Sequence, residues 1–255
     1  MLNKKFVVGD IHGRYEAFVQ VLEKSKFNYD KDTLIVLGDV VDGGADTYKC
    51  VEELMKIKNM ILIKGNHDAW MLEHIKNGFA EEIWLQQGGA NTLISYGADV
   101  IEAEFVSNNS KIDTTNLNIP VTHQDFFNRG VYYHVENEML FVHGGFDTVK
   151  GLHLTDNHTL LWDRTLIDKA RWDKIKGFKK IFVGHSTTQM YERLPEVKDC
   201  MSPIKFNNLI MVDTGAGWSG KLTIMDINTE EFWQSDIQAP AQRYVPKRIR
   251  EELFK

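Results

Sequence analysis

Phe6-Val7-Val8-Gly9-Asp10-Ile11-His12-Gly13 decides how the rest of this chain is read. Three apolar residues make a short strand, and the polar cluster behind it sets a carboxylate and an imidazole two positions apart. Alternate residues of a continuing strand point to the same side, so Asp10 and His12 share a face. The pattern recurs four times: Gly38-Asp39-Val40-Val41-Asp42-Gly43 after Thr33–Leu37, Gly65-Asn66-His67-Asp68 after Met60–Ile63, Val142-His143-Gly144-Gly145 after Leu140–Val142, and Gly184-His185-Ser186 after Ile181–Val183. In open α/β sheets, ligands collect beyond the carboxyl ends of strands, where all five clusters fall. Together they offer hard oxygen and imidazole donors in the number two adjacent divalent metals need, an arrangement suited to cleaving phosphate esters.

Outward from these clusters, the first half alternates strand and helix. Tyr15–Lys26 carries Phe18, Val21 and Leu22 on one helical face, and Asp46–Ile57 carries Tyr48, Val51, Leu54 and Met55. The β-α-β-α-β order implies parallel strands joined by right-handed crossovers. Residues 69–118 read as a mostly helical cap insertion, with Gly88-Gly89 inside it and a polar loop over Ser107–Asn118. Strands return at Met139–Val142, Lys180–Val183, Leu209–Val212 and Leu222–Ile227, with a helix around Leu166–Ile175. The expected fold is α/β, two sheets packed face to face between helices, in one domain over residues 1–255. The charged tail Arg243–Lys255 reads as a surface helix.

A chain of 255 residues buries a sizeable core. No apolar run approaches membrane-spanning length, and no secretory h-region precedes Phe6. Cys50 and Cys200 have no metal-ligand spacing, so a reducing cytoplasm is the expected compartment. A formal charge of −6 argues against broad nucleic-acid binding. Nothing in the sequence sets the oligomeric state.

With the five clusters in order, the sequence resembles the calcineurin-like metallophosphoesterases, in particular their phosphoprotein-phosphatase branch of bacterial and phage type. Trp84-Leu85-Gln86-Gln87-Gly88-Gly89, Ser95-Tyr96-Gly97, Leu161-Trp162-Asp163-Arg164 and Val212-Asp213-Thr214-Gly215-Ala216-Gly217 also match. The resemblance implies a four-layer α/β/β/α sandwich and two divalent metal ions, manganese first, with iron, zinc or magnesium as alternatives. It implies that Asp10, His12 and Asp39 hold the first ion, that Asp39 bridges, and that Asn66, His143 and His185 complete the second. A water shared by the ions would attack phosphorus. His67 would not ligate metal but protonate the leaving oxygen, oriented by Asp42.

Two positions depart from the wider pattern. Many branches have a second histidine two residues after the one at 185, where this chain has Thr187. That fits the phosphoprotein-phosphatase branch and counts against nucleases and cyclic-nucleotide phosphodiesterases. An arginine that clamps substrate phosphate is usual at position 43, where this chain has Gly43, and glycine replaces no bidentate guanidinium contact. Arg164 matches a second phosphate-binding arginine and is expected to carry more of the substrate, together with Asn66 and, by proximity to the motifs, Arg14 or Lys64.

Taken singly, Asp10, Asp39 and Asp42 read as helix caps or turn formers, and a lone histidine as a packing residue. His74, His123, His134, His153 and His158 are so read, as is Asp213-Thr214-Gly215, a turn. Trp84 and Tyr96 are expected to pack the cap on the body, with stacking on a base or peptide side chain as the alternative. Trp162 is expected to anchor the Arg164 loop. The expected activity is hydrolysis of a phosphate monoester on a phosphorylated protein, serine/threonine first and tyrosine possible as a dual specificity. The rivals are symmetrical dinucleoside tetraphosphate hydrolysis, whose substrate is a small phosphate ester, and non-catalytic phosphate binding.

Overall fold

Lys5–Val8 (β1), Tyr15–Lys24 (α1), Thr33–Val36 (β2), Thr47–Leu54 (α2) and Asn59–Leu62 (β3) form the expected β-α-β-α-β unit. β1, β2 and β3 run parallel, with Val7 opposite Ile35 and Ile35 opposite Ile61. The computed structural model describes residues 3–98, 105–106, 111–113 and 117–240. After β3 the chain makes Asn66–Asn77 (α3), Phe79–Glu81 (β4), Glu82–Trp84 (α4), a turn over Leu85–Gly89 kinked at Gly88, and Ala90–Ser95 (α5). Phe105–Val106 (β5), Lys111–Asp113 (β6) and Val121–Asn128 (α6) follow. Tyr133–Glu136 (β7), Met139–Val142 (β8), Asn157–Trp162 (α7), Thr165–Trp172 (α8) and Lys180–Val183 (β9) lead to Ile204–Phe206 (β10), Leu209–Met211 (β11), Thr223–Asp226 (β12) and Phe232–Gln234 (β13).

The strands make two five-stranded sheets, in the orders β13-β12-β1-β2-β3 and β10-β11-β9-β8-β7. Successive side chains of a strand face opposite ways, so each strand here feeds two cores. Val7, Ile35 and Leu37 of one sheet meet Phe141, Phe182 and Ile210 of the other, with Phe141 and Phe182 stacked at 5.0 Å. Their neighbours Phe6, Val8, Leu34 and Val36 turn outward under Phe18, Val21, Val51 and Leu54 of α1 and α2. On the far side Leu140, Val142, Ile181 and Val183 pack under Leu166, Ile167 and Ala170 of α8. Each such side chain removed from water contributes about 1.5–3 kcal/mol, which is why these strands are apolar on both faces. The layers are helix, sheet, sheet, helix, as expected.

Two expectations need correction. Lys111–Asp113, within the stretch read as a loop, is a strand, and with β4 and β5 it forms a small antiparallel sheet beside the helices of the insertion. Alternating polarity over so few residues left no strand signal there. In α2, Cys50, Val51 and Leu54 are buried, whereas Tyr48 and Met55 are 38% and 43% exposed at the edges of that face. The tail Arg243–Lys255 lies outside the described residues. Among the described residues no helix is long and apolar enough to cross a membrane.

Candidate dimetal active site

The strand ends converge as the sequence requires. β1, β2, β8 and β9 deliver Asp10, Asp39, His143 and His185, and the first turn of α3 delivers Asn66 and His67. Of the nine described non-glycine residues with positive φ, four are here: His12 (49°), Asp39 (47°), Asp42 (72°) and His185 (62°). Left-handed backbone costs an L-residue about 1–3 kcal/mol and persists only where surrounding contacts enforce it. The enforcing contacts include the N–H groups of Ile11 and His12, which both donate to the Asp39 carbonyl at 3.1 and 2.8 Å. Asp68 stays out of the centre: it caps α3, accepting from Gly65 N–H at 3.0 Å and Val40 N–H at 2.9 Å.

Asp39 lies at the middle. Its Oδ2 is 3.7 Å from His12 Nε2 and 3.3 Å from His143 Nε2. His12, Asp39 and His67 each bring one donor atom within 4.8 Å of the others, and so do Asp39, His143 and His185. His12 Nδ1–H donates to the Val41 carbonyl at 3.0 Å and His143 Nδ1–H to that of Leu37 at 2.7 Å. A carbonyl only accepts, so these bonds fix the tautomers and turn both Nε2 atoms inward, the outer support usual for metal-ligating histidines. Asn66 Oδ1 accepts from His185 Nδ1–H at 2.8 Å and lies 2.9 Å from His143 Nε2.

These residues fit a pair of divalent ions. Asp10 Oδ1 and His185 Nε2 are buried with no hydrogen-bond partner among the described residues. Burial, then the charges of Asp213 and Asp39, raises the Asp10 carboxyl well above its usual range. Burial raises Asp213 likewise, to about 6. Burial alone would raise Asp39, yet His143, His67 and His12 hold it low. Burial and the nearby His67 lower His12 to about 4, leaving a neutral imidazole lone pair. Against the effect of burial, Asp39 and the bond to the Leu37 carbonyl raise His143. Packed carboxylates, orphaned ligand atoms and imidazoles with no thiolate among them describe a hard-to-borderline cation site.

His67 stands beside this centre. Its Nδ1–H donates to Asp42 Oδ2 at 2.6 Å, and its backbone N–H to Asp39 Oδ1 at 2.9 Å. Against the effect of burial, Asp39 and Asp42 push it up to about 9, which favours the protonated ring. The cleft encloses about 650 Å³, and Arg164, Thr187 and Asp213 line it with the central residues. Arg164 is exposed, and among the described residues its guanidinium has no ion-pair partner. Arg14 does not join it. Its Nε donates to the Ala216 carbonyl at 3.1 Å and its Nη2 to that of Ala239 at 2.8 Å, which holds the guanidinium away from the cleft. Lys64 lies over the Tyr132 ring at 5.3 Å instead.

Four neighbours of the site were not read from the sequence as parts of it. Trp84 and Thr92 both hydrogen-bond Asp42. Trp70 stands edge-on to His67 at 5.0 Å, and Asp213 faces Asp10. Asp213 follows the apolar run Leu209–Val212, the same signal that marked the other clusters. Trp84 and Thr92 carried none, because their bonds to Asp42 are long-range, whereas Trp70 lies three residues from His67 on the same helix.

The calcineurin-like phosphoesterase family pattern matches residues 4–207, and the chain belongs to that family. It is therefore a metal-dependent phosphohydrolase of a dimetal family. Serine/threonine-protein phosphatase 1 of Salmonella typhimurium is 25% identical over 87% of this chain and 91% of its own length. A symmetrical bis(5'-nucleosyl)-tetraphosphatase of Buchnera aphidicola is 45% identical, but over 25% of this chain and 23% of its own. Among solved structures, one assigned as a diadenosine tetraphosphatase superposes with a TM-score of 0.62 at 14% identity, covering 93% of this chain and 95% of the other. That likeness establishes the fold.

Proposed function

We propose that the protein hydrolyses phosphate monoesters on phosphorylated proteins, serine and threonine first, with His67 as the acid. The 2.6 Å bond from His67 to Asp42, at the edge of the ligand cluster, carries this reading. Asp10, His12 and Asp39 would hold one divalent ion and Asp39, Asn66, His143 and His185 the other, with manganese the first candidate. When bound, the ions supply Lewis-acid stabilisation of the phosphoryl oxygens and lower the pKa of water. Arg164 is the cation placed to receive a phosphate oxygen, and a charge-assisted contact there orients the ester. His67 gives its proton to the departing oxygen as the P–O bond breaks, and the imidazole becomes neutral. Asp42 keeps the ring's Nδ1–H engaged throughout, so the ring does not turn away.

The phosphoprotein reading is supported by a phosphoprotein-phosphatase relative that matches over most of the chain, whereas the tetraphosphatase match is local. One observation favours dinucleoside tetraphosphate as the second reading. Trp70, Trp162 and Trp218 line the cleft, and indole rings are the side chains on which a base can stack. The test compares rates of the manganese-loaded protein on phosphoserine and phosphothreonine peptides with those on diadenosine tetraphosphate. Faster peptide turnover, abolished by a chelator, is expected. A large preference for the dinucleotide overturns it.

A further inference from the structure

Asp42 accepts more than the bond to His67. Trp84 Nε1–H donates to the same oxygen, Oδ2, at 2.8 Å, and Thr92 Oγ1–H donates to Oδ1 at 2.7 Å. Thr92 Oγ1 also accepts the Asp42 backbone N–H at 2.8 Å. Asp42 is fully buried, and so is Thr92. Both donors come from the insertion, more than forty residues further along the chain. The local chain is shaped to bring them there. Gly88 takes φ 112° at a kink between two helical segments, and a Cβ on it would stand 2.4 Å from Gly43 N. A Cβ on Gly89 would stand 2.5 Å from the Trp84 indole, so glycine there leaves room for the ring.

We propose that Trp84 and Thr92 are positioning residues that fix the Asp42 carboxylate so that His67 faces the leaving group, making the Glu82–Ser95 segment a working part of proton transfer. This rests on the reading of His67 as the acid. A buried carboxylate with one partner can rotate about its Cβ–Cγ bond; with a donor on each oxygen it cannot, and the imidazole inherits that order. Asp42 needs this support because its own backbone is left-handed, at φ 72°. Neither Trp84 nor Thr92 is expected to touch the substrate, so their effect passes through His67 alone.

The test uses the manganese-loaded enzyme and two ester classes: p-nitrophenyl phosphate, whose leaving group departs without a proton, and an alkyl phosphate or phosphoserine peptide, whose leaving group needs one. His67→Asn is expected to lower kcat on the alkyl ester by roughly 10²–10⁴ and on p-nitrophenyl phosphate far less. Trp84→Phe keeps the ring volume and removes the donor. It is expected to lower kcat on the alkyl ester about tenfold with KM unchanged, and to cost nothing further in a His67→Asn background. Thr92→Val repeats the pattern and Thr92→Ser, which keeps the hydroxyl, restores it. Equal losses on both esters, or a Trp84→Phe loss that persists beside His67→Asn, overturn the positioning role. If the alkyl ester is unaffected by His67→Asn, the acid reading itself falls, and this inference with it. If Trp84→Phe does not fold, the Thr92 pair decides the same question.

Discussion

Gly43 and Gly88 meet backbone against backbone, so closely that a methyl group on Gly88 would overlap the Gly43 nitrogen. Gly43 itself turns left-handed at φ 75°, with the space its Cβ would take bounded by His12 Cβ at 3.2 Å and the Gly217 carbonyl at 3.4 Å. A longer side chain at position 43 would therefore begin against His12 and Gly217, while Gly88 of the insertion closes on the Gly43 backbone nitrogen. Gly43→Arg is expected to lower stability by about 1–3 kcal/mol, the usual cost of a side chain in strained backbone, without lowering KM. Chemical denaturation beside a KM measurement on p-nitrophenyl phosphate checks this. A lower KM at unchanged stability would show that the clamp can be restored.

Arg164 is left as the cleft's arginine. Arg164→Ala is expected to reduce kcat/KM about 10- to 100-fold, the worth of one or two charge-assisted contacts. Arg164→Lys, which keeps the charge but not the fork, recovers part of that loss. Arg14→Ala should leave KM near its original value, since Arg14 is spent on two backbone carbonyls. Steady-state kinetics on the three variants separate the roles, and a KM effect at Arg14 equal to that at Arg164 contradicts the assignment.

What was legible in the sequence depended on range. The strands read directly because apolar runs buried on both faces, such as Met139–Val142 and Lys180–Val183, need no partner to be recognised. The clusters that hold Asp10, His12, Asp39, Asn66, His143 and His185 followed from one local rule, polar residues just past a strand; the choice of these six came from the family resemblance, and the structure brings them together. Short edge strands β7, β10 and β13 and the helix α6 lacked such runs and were missed. Trp84 and Thr92 could not be paired with Asp42 because nothing local links residues that far apart. Arg14 is the reverse case: adjacency to a motif put it in the site, but its guanidinium is bonded to the Ala216 and Ala239 carbonyls and does not line the cleft.

His123 illustrates the same limit. In the sequence it is a histidine without chemistry; in the fold it is fully buried, with Nδ1 paired to the Tyr96 hydroxyl at 2.8 Å and Nε2 to Glu52 Oε1 at 2.7 Å. It thus ties α6 to α2 and to the end of α5. His123→Ala is expected to cost about 1–3 kcal/mol, because Tyr96 loses its partner and a cavity opens. Tyr96→Phe should cost less, and urea unfolding of both variants gives the comparison. A loss at His123 below about 0.5 kcal/mol would mean the link is not structural.

Metal and pH should act on stability together. Asp213 has its folded-state pKa raised from 3.8 to about 6 by burial, and Asp10 is raised by burial and by its neighbouring carboxylates. For an acid raised in the fold, the folded state holds a proton that the unfolded state has already lost. Stability from Asp213 is therefore lost as pH rises from about 3.8 to about 6, and Asp10, also raised, acts in the same direction. Divalent ions bind the ionised carboxylates and offset that loss, so their stabilising effect must grow in the same direction. Thermal unfolding with a chelator and with excess manganese, at pH 5 and pH 7.5, is expected to show the larger rise in Tm at pH 7.5. An equal or larger rise at pH 5 would mean that the carboxylates around Asp39 do not hold the metal.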